Sequence, residues 1–404
     1  MADRNKLYLM TGIVFAGFLA RSPITAIGPL LSMIGLEFGL NSTALGLLTT
    51  IPLIVFALGS VFVVNAASYV GIRRLLPLSF VLLALGICLR SFGGLPGLYL
   101  GTTVIALGLT VIMVLIPAVI KSSFPDNAGP VSGLFSGSIS IFSTITAAAS
   151  IPLAARTFLG WRGALLLGLI LALPAFALWS RLPGAADFKP ARRGASMLLH
   201  SRIAWYVSIF NGMHSLLFYS MVAWLPVILQ SRGFTAEGAG YCASLYQLVG
   251  IPVSFIIPAL AGRRKSQTSL AIVIGPLYLA AMTGLLLAPQ PALIALSVAV
   301  LGLASVSCFS LGMVLFIFRT NGAEESAALS GMAQTVGYAL AALGPICLGR
   351  IFDLSGSWAV PLGFLIIMTA LLFCFLFASS RDVKITFPAH NPGHNNEAHL
   401  SKTH

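Results

Sequence analysis

Arg21 is the residue of this 404-residue chain whose type and position most clearly indicate chemistry. It lies about 13 residues into the first apolar run, a depth of about 20 Å at the helical rise of 1.5 Å per residue. If that run crosses a membrane, a charged side chain near its centre costs about 2.5–3.5 kcal/mol on insertion scales. A guanidinium presents its N–H donors in a planar fork that suits carboxylates and other anions. The position therefore predicts a partner with acceptor atoms.

The acidic residues do not supply that partner. All ten lie at the ends of apolar runs, in polar segments or near the termini: Asp3, Glu37, Asp126, Asp187, Glu237, Glu324, Glu325, Asp353, Asp382 and Glu397. An internal pair with a buried carboxylate is the structural alternative for Arg21, and no Asp or Glu occurs at its depth. We therefore expect Arg21 to bind an anionic substrate, or a polar one with acceptor atoms.

A second set of polar residues lies in the seventh apolar run. His214 is about 10 residues into this run, and Asn211 precedes it by three positions, which puts both side chains on one helix face. Tyr219 lies about 140° round an ideal helix from His214, so we expect it to contribute less. His214 is the only histidine inside an apolar run, and histidine titrates near neutral pH. A hydrogen-bonded histidine that only joins two helices is the alternative interpretation.

Four further polar side chains are candidates for the same site. They are Thr49 in the second run, Tyr246 and Gln247 in the eighth, and Gln334 in the eleventh. Polar side chains of this kind also join packed helices without binding a ligand. Arg90, at the outer end of the third run, is expected to anchor its helix at the membrane–water interface.

The composition indicates which elements hold these side chains. The chain is 58% hydrophobic and 8% charged, whereas soluble domains have about 25% charged residues. A soluble globule and a disordered chain are both excluded, and a polytopic membrane protein remains. The sequence has no His-Glu-x-x-His, Cys-x-x-Cys or phosphate-loop motif. We therefore expect no enzyme, no cofactor and no metal site.

Twelve apolar runs are long enough to cross a bilayer. They cover residues 8–33, 43–66, 75–92, 98–120, 130–152, 162–180, 203–229, 238–261, 268–288, 292–318, 328–349 and 358–379. The predicted organisation is a six-helix bundle at 1–180, a cytoplasmic central loop at 181–202, a second six-helix bundle at 203–380 and a disordered cytoplasmic tail at 381–404. The first bundle also resembles the second weakly, and two such halves are typical of secondary transporters.

The distribution of basic residues predicts the orientation. If both termini lie on one side, seventeen of the 23 Lys and Arg residues fall on that side, five fall on the other, and Arg21 lies inside a run. Cytoplasmic segments carry the excess of positive charge, so we expect both termini in the cytoplasm and the protein in the inner membrane. The same loops account for most of the net charge of +13 without a nucleic-acid partner.

Several short motifs carry a family resemblance. Gly71, Arg73 and Arg74 form a basic loop after the second run. Apolar segments with prolines follow in order, starting at Arg21 (RSPITAIGPLL), Leu47 (LLTTIPL), Ile116 (IPAVIK), Trp224 (WLP) and Tyr246 (YQLVGIP). Together they resemble the major facilitator superfamily and, within it, the cyanate and 2-nitroimidazole permease branch. The branch often carries Gln where this chain has His214.

The resemblance implies an all-α major facilitator fold of two pseudo-symmetric six-helix halves. It further implies a permease that moves a small substrate, a cyanate-like anion or a nitro-heterocycle, through a site between the halves that opens alternately to each side. Arg21 would anchor the substrate. We expect a monomer in the lipid bilayer, with protons as a candidate coupling ion. The alternative is a drug/proton antiporter that exports neutral or weakly acidic compounds.

Overall fold

The computed structural model describes residues 2–40, 42–181 and 198–385, and the elements found there are helices. A short 3₁₀-helix, Gly28–Leu30, follows the first α-helix. The α-helices are α1 (Ala2–Thr25), α2 (Leu31–Phe38), α3 (Ser42–Val70), α4 (Ile72–Phe92), α5 (Gly94–Ser123), α6 (Ala128–Arg156), α7 (Trp161–Arg181), α8 (Arg202–Ser231), α9 (Ala236–Leu248), α10 (Gly250–Gly262), α11 (Thr268–Leu287), α12 (Pro291–Phe318), α13 (Ala323–Ser355) and α14 (Ala359–Ser379).

Twelve helical segments in the described part of the chain are long and apolar enough to cross a membrane, as predicted. Their ends lie up to about six residues from the predicted ones; the run predicted at 328–349, for example, is Ala323–Ser355. The helices continue past the hydrocarbon region because polar residues at their ends keep making helical hydrogen bonds. The predicted central loop and tail fall largely on 182–197 and 386–404, which lie outside the described residues.

The first membrane segment is interrupted near Arg21. α1 contains Pro23 and ends at Thr25, and a turn leads into the 3₁₀-helix. The N–H of Ile27 donates to Ile24 O at 3.4 Å, so the carbonyl oxygen of Pro23 loses its helical donor. Such interruptions are tolerated inside a membrane only where other groups satisfy the freed carbonyls.

Arg90 satisfies one of these carbonyls. Its Nη1 donates to Pro23 O at 2.8 Å, and only 2% of the residue is exposed. The expectation that Arg90 anchors at the membrane–water interface is therefore wrong. The break in the first segment leaves the Pro23 carbonyl oxygen as an acceptor inside the protein. The hydropathy of the third run does not show that Arg90, at the end of that run, points toward this oxygen.

The eighth membrane segment is also composed of two helices, α9 and α10. Gly302 of α12 lets α9 come unusually close, because a Cβ at this position would lie 2.1 Å from Tyr246 O. Gly250 has the same effect at the start of α10, where a Cβ would lie 2.2 Å from the Val306 side chain. This close packing brings the side chain of Tyr246 to Ser305 of α12.

Helices from the two halves meet at the end of the bundle where α1 begins and α14 ends, which we call the terminal end. Gly129 of α6 faces α10 so closely that a Cβ there would lie 2.6 Å from Pro258 O. Deeper along the same pair, Ser136 Oγ donates to Ser254 O at 2.7 Å. These contacts pack α6 and α10 backbone to backbone.

A second set of contacts joins the halves at the terminal end through α5. Lys121 Nζ donates to Ile317 O and to Thr320 O, both at 3.1 Å. Ser330 Oγ of α13 donates to Met113 O at 3.4 Å. A cation at the carboxyl end of a helix is favoured by the helix dipole, so Lys121 holds the end of α12 against the N-terminal half.

Candidate substrate-binding site

A small cavity of about 10 Å³ lies in the middle of the bundle and is lined by both halves. A volume of this size holds about one water molecule. Its lining residues are Arg21 from α1, Asn211, His214, Ser215, Phe218 and Tyr219 from α8, Phe309 and Met313 from α12, and Gln334 and Tyr338 from α13.

Arg21 is held in this cavity by aromatic rings of the opposite half. Its guanidinium carbon lies 4.5 Å from the centre of the Phe218 ring and 4.9 Å from that of Phe309. Within the described residues its side chain makes no hydrogen bond, and the two ion pairs found there involve other arginines. Cation–π contact compensates part of the cost of the charge. The guanidinium N–H groups remain available to a ligand.

The polar residues of α8 form one wall of the cavity. Asn211 Nδ2 donates to Ala333 O at 3.0 Å, which ties α8 to α13. His214 is 3% exposed, and its Nε2 lies 3.4 Å from Ser305 Oγ. Tyr219 lines the cavity as well, although its angular separation predicted a smaller role. The lining face of α8 spans an arc of about 140°, wide enough for positions five residues apart.

Gln334 approaches the cavity from α13. It is 3% exposed and makes no hydrogen bond to another residue in the described part of the chain. Tyr338 lies one turn further along the same helix, and its ring centre is 6.3 Å from that of Tyr219. The amide of Gln334 therefore has both donors and an acceptor free toward the cavity.

Three of the predicted site residues do not line the cavity. Tyr246 is buried one layer behind it, and its hydroxyl donates to Ser305 Oγ at 3.0 Å. Gln247 is one position further along α9, about 100° round the helix, and points away from that contact. Thr49 is exposed and donates to Gly46 O at 2.8 Å.

The structure adds lining residues that polarity did not reveal. Phe218 follows His214 by four positions, so the helical period could have found it. Tyr338 follows Gln334 at the same spacing, and the helical period of the sequence already puts these two on one face of α13. Phe309 lies in an evenly apolar helix, and its position over Arg21 depends on how α12 packs against the other half.

A larger cavity of about 210 Å³ lies beside the break in the first segment, between α1, α6 and α7. Its surface is mainly apolar, and its lining includes Ser22 and Pro23 but none of the predicted site residues. The central cavity is the better candidate because it combines an unpaired cation with convergent polar groups from both halves.

Comparison with known families agrees with this geometry. The Major Facilitator Superfamily matches residues 13–345, and the chain belongs to this family. It is therefore a multi-pass membrane transporter and not an enzyme. The proton:xylose symporter XylE, a major facilitator of known structure, superposes with a TM-score of 0.80 at 12% identity and covers 94% of this chain and 95% of its own. The predicted fold class is confirmed.

Three relatives define the part of the family that this chain resembles. The transporter YycB of Bacillus subtilis (strain 168) is 38% identical over 90% of each chain. The 2-nitroimidazole transporter of Escherichia coli (strain K12) is 34% identical over 95% of this chain and 98% of its own. The cyanate transport protein CynX of the same organism is 24% identical over 87% and 92%. The resemblance to the cyanate and 2-nitroimidazole permeases is confirmed.

Proposed function

We propose that this protein transports a small anion or an acceptor-rich polar heterocycle across the inner membrane, with Arg21 as the substrate anchor. The proposal is based on the surroundings of the Arg21 guanidinium. It lies between the two halves, is covered by two aromatic rings and has no oxygen partner in the described residues. An unpaired cation at that depth is costly, and a ligand with acceptor atoms offsets the cost.

The aromatic lining narrows the substrate class. Phe218, Phe309, Tyr219 and Tyr338 surround the cavity, and flat rings suit a planar ligand such as a nitro-heterocycle. The nitro oxygens of such a ligand would accept from Arg21. The 34% identity to a 2-nitroimidazole transporter supports this class more strongly than the 24% identity to a cyanate transport protein supports a linear anion.

The contacts at the terminal end support alternating access as the mechanism. A cavity of about 10 Å³ is too small for either substrate, so binding requires the two halves to move apart around Arg21. The basic loops predict that both termini lie in the cytoplasm. The helix contacts at Gly129 and Lys121 would then close the path from the cavity to the cytoplasm. These contacts would then have to break before substrate reaches the cytoplasm. The site lies within one chain, which is compatible with a monomer.

Coupling to protons would have to work without a carboxylate in the site. The lining of the central cavity includes no Asp or Glu. We therefore propose facilitated or exchange transport. Any protons that cross the membrane would move through His214 or together with the substrate. Uptake into proteoliposomes under an imposed pH gradient tests this. Full accumulation by His214→Gln would show that His214 is not the coupling group.

The proposed function is tested by thermal stabilisation of purified protein with cyanate, nitrate, small carboxylates and 2-nitroimidazole. We expect one of these classes to raise the melting temperature of the wild type but not that of Arg21→Ala. Arg156→Ala is the matched control, because it removes the same charge from an exposed position at the end of α6. Equal stabilisation of Arg21→Ala would overturn the assignment. Neutral drugs are tested in the same assay, and stabilisation by these alone would favour the drug/proton antiporter.

A further inference from the structure

We propose that Gln334 makes the site selective for flat substrates that carry a ring N–H donor as well as acceptor atoms. The proposal rests on the proposed function, because it assumes that the central cavity binds the substrate. It narrows the substrate class to heterocycles such as 2-nitroimidazole and disfavours cyanate and nitrate, which have acceptor atoms but no donor.

The amide of Gln334 is buried without a partner in the protein. Only 3% of the residue is exposed, and in the described part of the chain its side chain makes no hydrogen bond. Asn211, the other amide side chain of the cavity lining, donates its Nδ2 to Ala333 O at 3.0 Å and so joins two helices. Gln334 makes no contact of this kind, and a buried amide without any partner is costly.

Both ends of this amide face the central cavity. In the described residues of α13, the fully enclosed side-chain atoms without a partner are Ser326 Oγ and Thr335 Oγ1, and neither Oε1 nor Nε2 of Gln334 is among them. The two amide atoms therefore reach accessible space, and the space that Gln334 lines is the central cavity. A substrate that enters there has to replace the hydrogen bonds that water can make to this amide.

Arg21 and Gln334 bind different groups of a ligand. A guanidinium has N–H donors and no acceptor, whereas Oε1 of Gln334 is an acceptor. A ligand with acceptor atoms alone can satisfy Arg21, but it covers Gln334 Oε1 without giving it a donor. Because an unpaired buried carbonyl weakens binding, a site built around such an acceptor discriminates against analogues that lack the N–H.

A 2-nitro-heterocycle with a ring N–H carries both kinds of group on one flat frame. In 2-nitroimidazole the N–H nitrogen is bonded to the carbon that bears the nitro group, so the donor and the nitro oxygens lie along one edge. Arg21 belongs to α1 and Gln334 to α13, so a ligand bound to both side chains would bridge the two halves. The rings of Phe218 and Tyr338 in the same lining suit its flat faces.

The matched probes are 2-nitroimidazole and 2-nitrothiazole, which has sulfur in place of the N–H and keeps the nitro group and the other ring nitrogen. In calorimetric titration of the purified protein, at a pH that keeps the imidazole N–H protonated, we expect the wild type to bind 2-nitroimidazole about 5-fold more tightly. The preference should disappear in Gln334→Met, which has no amide, and persist in Gln334→Glu, which keeps an acceptor oxygen. Gln230→Met is the control, because Gln230 is exposed near the end of α8, and it should keep the wild-type preference.

The ratio of the two affinities within each variant separates specificity from folding, because a smaller folded fraction lowers the number of sites and leaves the ratio unchanged. Equal affinities in the wild type, or a preference that survives in Gln334→Met, would overturn the role of Gln334 and leave the proposed function intact. Tighter binding of cyanate than of 2-nitroimidazole would also overturn it. If the wild type binds neither the two heterocycles nor a small anion, the proposed function fails and this proposal fails with it.

Discussion

Arg21 and Arg319 show two ways of keeping a guanidinium inside this protein. Arg319, at the end of α12, is surrounded by oxygen atoms: its Nε donates to Ser379 O at 2.8 Å and its Nη2 to Ser380 O at 3.1 Å. It also donates to Gln267 Oε1 and pairs with Asp382 at 4.0 Å. Arg21 has two phenyl rings in place of these oxygens.

The difference indicates a structural role for one arginine and a binding role for the other. Burial lowers the pKa of Arg319 to about 10, although Asp382 opposes the shift, so the side chain stays charged at neutral pH. Its hydrogen bonds join α12 to the end of α14 and to Gln267 before α11. An arginine whose donors are all engaged holds helices together, whereas one held by ring faces keeps its donors for a ligand.

The largest effect is expected from Arg319→Ala. The change removes charge-assisted hydrogen bonds and takes the arginine donor away from Ser379 O and Gln267 Oε1, a loss on the order of 3 kcal/mol or more. We expect a markedly lower melting temperature without ligand. The fraction that folds should bind substrate as the wild type does. An unchanged melting temperature would contradict the structural role.

Arg21→Ala should show the reverse pattern. It removes a charge-assisted hydrogen bond to the substrate, about 1.5–3 kcal/mol, which corresponds to roughly 10- to 150-fold in affinity. The melting temperature without ligand should stay near that of the wild type, because no buried partner is left unpaired. Arg21→Lys keeps the charge but loses the planar fork, so we expect weak residual transport. Melting and binding measured on the same preparations separate the two arginines.

Phe309→Leu tests the ring that covers Arg21. Losing one ring face should weaken binding of 2-nitroimidazole by about 2- to 5-fold, the equivalent of 0.5–1 kcal/mol. Binding of cyanate, which has no ring, should change less. Phe62→Leu is the control, since Phe62 is 71% exposed on α3. Equal losses for both ligands would mean that Phe309 acts through packing and not through ring contact.

The smallest effect is expected from Glu37→Gln, which removes the ion pair between Glu37 and the surface residue Arg162. Its hydrogen bond holds the pKa of Glu37 below the usual value, against the effect of partial burial and with help from Trp161. A lowered folded-state pKa means that the stabilisation is present above the ordinary carboxyl pKa and is lost as the pH falls through the lowered one. Because the Glu37 side chain is 40% exposed, Glu37→Gln should cost less than about 1 kcal/mol at neutral pH. The melting temperatures of the wild type and Glu37→Gln should converge as the pH falls. A difference in melting temperature that stays constant with pH would exclude the ion pair as the cause of that difference.

Sequence reasoning located most of one wall of the candidate site. His214 was predicted from its depth and its titration near neutral pH, Asn211 from the helix face it shares with His214, and Gln334 as a buried polar side chain. All three line the cavity with Arg21. Three other predicted residues, Tyr246, Gln247 and Thr49, do not line that cavity. Depth along a helix can be counted from sequence, but the direction of a side chain depends on how the helix is rotated against its neighbours.

The amino-acid sequence by itself determined the twelve membrane segments, because a bilayer requires about 20 apolar residues per crossing whatever the packing. It also determined that Arg21 has no carboxylate at its depth. Only the tertiary structure decided that Phe218 and Phe309 cover Arg21, that Arg90 turns inward to Pro23, and that Tyr246 reaches His214 through Ser305. These contacts join residues distant in sequence, and each depends on a close approach between helices that hydropathy does not encode.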